Sequence, residues 1–160
     1  MNQWFSKIDL RHAQFLTPLA LIMESGKLVV SREIVKAGQI KEFQDGFMKA
    51  EDIVEYENDF FGTSSYFVTG ALFEYWNLEP IYAEILKELD FIGEDNSRQM
   101  QQYIASLDVV RSAVNVQGVL TQNSIANACD LVEDMGFDVD DFLHVTSRLK
   151  ERLKSGRILV

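Results

Sequence analysis

Apolar residues recur along this chain mostly at steps of three and four, the spacing that lines one face of an α-helix. The pattern is clearest over residues 121–156. Ile125, Ala128, Cys129, Val132 and Met135 stripe a first arm, and Gly136 follows where a left-handed residue closes a helix. Asp138 then caps a second arm, with Asp141 three residues on in a variant of the capping box. Val139, Phe142, Leu143, Thr146, Leu149 and Leu153 repeat the stripe. A link of about three residues turns the arms antiparallel, so Val132 and Leu143 are both expected in one core.

Upstream, Phe5, Ile8, Phe15 and Leu16 give residues 2–16 a looser helical pattern. Thr17-Pro18 reads as an N-cap and first helical position, opening a short second helix that Ser25-Gly26 breaks. Residues 27–30 are the one candidate strand, and Ser31 is placed to cap a short helix ending at Gly38. Ile40, Phe43, Phe47, Ala50, Val54 and Phe61 then predict one long amphipathic helix over residues 39–61. Residues 66–76 are apolar nearly all round; a buried central helix fits, and so does a strand, because periodicity alone does not separate them. Pro80 opens a helix that Gly93 ends. Asp95 or Asn96 caps the next, striped by Met100, Tyr103, Ile104, Leu107, Val110 and Val114. These stripes need shared partners. The expectation is an all-α, single-domain bundle of about six or seven helices over residues 1–160, with a C-terminal αα-hairpin and at most one short strand.

Charge adds the strongest functional hint. The net charge of −10 over 160 residues is unevenly placed. Residues 42–95 hold two Lys/Arg against fourteen Asp/Glu, while residues 142–160 hold five against one. An acidic middle favours a basic protein partner and disfavours nucleic acid. The outer face of the 39–61 helix carries Glu51, Asp52, Glu55, Glu57 and Asp59, the candidate partner-binding residues. Like charges four apart, as at Glu51/Glu55 and Glu55/Asp59, oppose a helix by a few tenths of a kcal/mol per pair. A one-sided face bearing that cost points to a basic partner. The function expected is a non-enzymatic, acidic, helical interaction protein, and the sequence does not choose between a toxin antagonist, a nucleic-acid mimic and a viral assembly or accessory protein. At the other end, Arg148, Lys150, Arg152, Lys154 and Arg157 complement the last helix dipole and offer a grip for the acidic waist of a second copy.

Candidate chemistry is thin. Each histidine follows an aspartate by three, Asp9/His12 and Asp141/His144, a spacing that puts both groups on one helical face. Helical di-metal sites use that spacing with glutamate, and Glu51/Glu55 or Glu84/Glu88 would supply further ligands, so a metalloprotein is the alternative reading. Asp141 already has a capping role and Arg11 adjoins His12, so no metal and no cofactor are expected. Cys129 on an apolar stripe reads as a small core residue with a raised thiol pKa. The scattered glycines form no phosphate-cradling loop, and residues 138–141 lack the glycine and glutamate of a calcium loop. Residues 120–126, Leu-Thr-Gln-Asn-Ser-Ile-Ala, resemble the opening of a DNA-binding helix-turn-helix, which makes a DNA-binding regulator a further alternative reading. The resemblance stops there: Asp130 stands where a tight-turn glycine belongs, and Asp138, Asp140 and Asp141 would face phosphates. The apolar run over residues 60–73 is shorter than the roughly 20 residues that span a bilayer. Asp9 and Pro18 interrupt the pattern of a signal peptide, which leaves a cytoplasmic protein as the expectation.

Overall fold

No strand forms among the residues that the computed structural model describes, which are 1–50, 52–90, 97–115 and 117–155. The chain is all-α. Its segments are α1 (Asn2–Phe5), α2 (Leu10–Ile22), a 3-10 turn (Met23–Ser25), α3 (Gly26–Ala37), α4 (Ile40–Phe47), α5 (Ile53–Phe61), α6 (Ser65–Tyr75), α7 (Pro80–Glu88), α8 (Arg98–Ser112), α9 (Gln122–Asp134) and α10 (Val139–Lys154). They fall into two compact units, Met1–Thr17 with Ala105–Val160, and Pro18–Ile104. The chain passes between them within α2 and within α8.

The first unit is built on the hairpin. Thr121 caps α9 in a reciprocal box with Ser124: each backbone N–H donates to the other's side chain at 3.0 Å. Gly136 takes φ 74°, a left-handed value that suits glycine, and Asp138 caps α10 by accepting from the N–H groups of Asp140 and Asp141. Asp141 does not complete a second box; its carboxylate lies 3.7 Å from Lys7 Nζ. Trp4, Phe5, Ala128, Val132, Phe142 and Val145 form the core, with Trp4 edge-on to Phe5, Phe137 and Phe142. Val132 is buried as expected, but Leu143 is 39% exposed. The inward face of α10 is Phe142, Val145, Thr146 and Leu149, so Leu143 falls at its edge.

The second unit centres on α6. Gly70 permits this: a Cβ there would lie 2.9 Å from the Ala83 carbonyl oxygen, so α6 and α7 meet almost backbone to backbone. Ser65, Tyr66, Thr69, Gly70 and Phe73 are buried, while Phe67, Tyr75 and Trp76 are exposed. The small Ser65, Thr69 and Gly70 let neighbouring backbones approach, and Tyr66 and Phe73 of the same helix are buried with them.

Several expectations change. α2 runs through Thr17-Pro18 with Pro18 inside the helix; Pro18 and Gln14, whose carbonyl loses its usual donor, are both exposed to solvent. Residues 27–30 are helical, because burial follows Val30 and Ile34, one turn apart, and leaves Val29 exposed. α3 therefore starts at Gly26, not at a Ser31 cap. Ser97 Oγ accepts from Met100 N–H at 3.2 Å at the start of α8, and Ala113 rather than Val114 turns inward at its end. The caps assigned to Asp95 or Asn96 and the stop at Gly93 lie outside the described residues. By length and hydropathy alone the helical run Leu10–Ala37 would suffice to cross a membrane, and a third of its most apolar window is buried inside the protein.

Candidate functional site

The long acidic helix is two helices. Phe43 and Phe60 would stand about 26 Å apart in one straight helix, at 1.5 Å per residue. Their ring centroids are 5.4 Å apart. The chain turns back between α4 and α5, and Asp52 caps α5 by accepting from Val54 N–H at 2.7 Å and Glu55 N–H at 3.1 Å. Ring contacts of Phe43 with Tyr56, Phe60 and Phe61, and of Phe47 with Tyr56, reward the turn. Each such pair contributes about 0.5–1.5 kcal/mol beyond its area. The turn keeps its backbone bonded as well: Met48, Lys49 and Ala50 donate to Gln44 and Gly46 carbonyls. Gly46 explains itself here, since a Cβ would collide with the Tyr56 ring, which crosses it to donate its hydroxyl to the Phe43 carbonyl at 3.0 Å.

The five predicted partner residues separate accordingly. Asp52 is a cap whose side chain remains exposed, and Glu55 and Asp59 are exposed. Glu57 is 2% exposed, on the inner face with Val54. Its Oε2 accepts from Ser65 N–H at 2.6 Å and Ser65 Oγ at 2.7 Å. Glu51 lies outside the described residues. Among the described residues the predicted acids do not share one exposed face, because Glu57 turns inward; the sequence signal that reveals it is its position three after Val54 and four before Phe61.

What the folding back creates is a groove. About 600 Å³ opens between α3, α4 and α5, walled by Val30, Ile34, Val35, Phe43, Phe47 and Met48, with Glu57 among its lining residues. α4 is strongly two-faced, yet none of its residues is buried. Ile40, Met48 and Val35 are 43, 56 and 61% exposed. Leu21 and Leu28 on the same helical run are exposed as well. Of the exposed acids carried by α4, α5 and the α5 cap, Glu42, Asp45, Asp52, Glu55 and Asp59, Asp45 lines the groove; Lys41 and Lys49 are the cations of the same stretch. Tyr56 titrates above its ordinary value through desolvation and the Glu42 charge.

The histidine pairs are not brought into a ligand set. Asp9 caps α2 by accepting from the N–H groups of Arg11 and His12, and the His12 bond holds its carboxyl below the usual range. His12 stacks on Phe5 at 4.4 Å and its Nε2 lies 3.1 Å from Ser106 Oγ. Desolvation pushes this imidazole down against the opposing pull of Asp9. His144 is exposed, and no three His, Cys, Asp or Glu side chains cluster as metal ligands among the described residues. Burial pushes the Cys129 thiol up, with Asp130 adding to it. On α10, Arg148, Arg152 and Lys154 are exposed; Arg157 lies outside the described residues.

No protein-family model matches the chain, and no curated protein does. A solved structure shares its fold: a protein described as a virulence factor from Campylobacter jejuni subsp. jejuni, with a TM-score of 0.68 at 18% identity. The match covers 89% of this chain and 55% of that one, so this chain spans about half the length of its structural neighbour. At that identity the likeness is one of fold alone.

Proposed function

We propose that this protein is a non-enzymatic helical interaction module that takes a basic, amphipathic segment of a protein partner in the α3–α4–α5 groove. The observation that carries the reading is α4, a two-faced helix with no buried residue, holding its apolar side open beside Val35 and Met48. Contiguous exposed apolar surface rimmed by polar groups marks interaction sites. Asp45 lines the groove and the helices that form it carry further exposed acids, a balance that selects a basic partner and speeds its arrival. This keeps the basic partner expected from charge but moves the contact from a flat acidic face to an apolar groove with acidic edges.

Two synthetic amphipathic peptides of about five turns test it, sharing one leucine pattern and carrying lysine or glutamate on the polar face. Fluorescence anisotropy should show the lysine peptide binding, with Ile40→Asp and Val35→Asp each weakening it about tenfold, a loss of some 1.4 kcal/mol. Circular dichroism confirms that the variants keep their helices. Equal binding of the glutamate peptide, or indifference to both substitutions, would overturn the proposal.

A further inference from the structure

Glu57 is a nearly inaccessible carboxylate that nevertheless lines the groove. Holding a carboxylate away from water costs several kcal/mol unless it is paired and hydrogen-bonded. Both bonds from Ser65 fall on Oε2, and no donor among the described residues reaches Oε1. The start of α6 does not require this acid, because Ser64 already caps the helix by accepting from Phe67 N–H at 3.0 Å. Asp90 adds a second carboxylate there, accepting from Ser64 Oγ. Lys27 is the groove's one lining cation among the described residues, and it is ion-paired with Glu24.

The geometry points to Glu57 as the anchor for one cationic side chain, a lysine ammonium or arginine guanidinium that the partner segment carries into the groove on its apolar stem. The inference rests on the groove being the docking surface. Lysine and arginine bury their methylene stems along apolar walls while their heads require an acceptor. The groove offers both parts: Val30, Ile34, Phe43 and Phe47 for the stem, and the Glu57 carboxylate for the head. Charge-assisted bonds to a desolvated partner exceed those made at an exposed rim. The rim acids would then steer, and Glu57 would discriminate between a cationic and a neutral side chain of equal length.

The experiment uses the whole protein with n-hexylammonium and n-hexanol, followed by NMR titration. Hexylammonium should bind about tenfold more tightly than hexanol. Glu57→Gln, which keeps an acceptor for Ser65 without the charge, should abolish the preference while leaving hexanol affinity unchanged. Failure of hexanol to occupy the groove overturns the groove reading itself. Hexanol binding with no preference for hexylammonium, or a preference that survives Glu57→Gln, overturns the anchor alone. Should that variant not fold, nuclear Overhauser contacts in the native protein decide: the methylene beside the ammonium must meet the Glu57 side chain, and its contact with rim residues instead removes Glu57 from recognition.

Discussion

A side-chain carbon at Gly26 would collide with the carbonyl oxygen of Ser65, so the first residue of α3 rests directly on the first turn of α6. Thr69 secures the contact. Its Oγ1 accepts from Gly26 N–H at 2.8 Å and lies within reach of the Met23 and Ser65 carbonyls at 2.9 and 2.8 Å. The obstacle to a methyl group is backbone, which does not swing aside. Gly26→Ala should therefore destabilise by about 1–3 kcal/mol or more, as overpacked sites do. Thr69→Val should cost about 1 kcal/mol by removing the hydroxyl that accepts from the Gly26 N–H. Urea unfolding measures both; neutral outcomes would contradict the contact.

Asp52 works in folding. Its carboxylate closes the first turn of α5, so Asp52→Ala should lose about 1 kcal/mol, and Asp52→Ser should recover most of it. A charge role alone would instead leave serine as poor as alanine.

Neighbouring positions on α10 should behave very differently. Phe142 is 3% exposed among Trp4 and the hairpin core, and Phe142→Ala should cost about 3–5 kcal/mol. Leu143, at the edge of the same face, should lose no more than about 1 kcal/mol on truncation to alanine. Equal losses would mean that α10 is rotated from the orientation described.

His12 should give stability a dependence on pH near neutrality. Its folded pKa is lowered, by burial first, so the folded state takes up its proton less readily than the unfolded chain. That stability is fully present above the unfolded value of about 6.5 and declines as pH falls through it toward the folded value. Unfolding midpoints measured downward from pH 8 should fall in this window for the native protein and fall less for His12→Gln. Parallel curves would show that the imidazole does not carry the dependence.

The hairpin was legible because its information is local. Gly136 and Asp138 act within one turn of themselves, and Val132 lies between Ala128 and Met135 on the apolar stripe. The all-α class followed from the same periodicity. The break between α4 and α5 was not legible: Asp52 is an acceptable helix residue and an acceptable cap, and the choice depends on Phe43 meeting Phe60 and Phe61. The same holds for Glu57, whose charge assigned it to solvent until Ser65 supplied two donors. Pro18 looked like a helix start because proline favours that position, yet packing on either side carried α2 through it. The chain by itself determined the all-α class and the Gly136–Asp138 turn of the hairpin, since those depend on neighbours in sequence. Only the tertiary structure decided which face of each helix turns inward and where the open groove lies, because those depend on contacts between residues far apart in the chain.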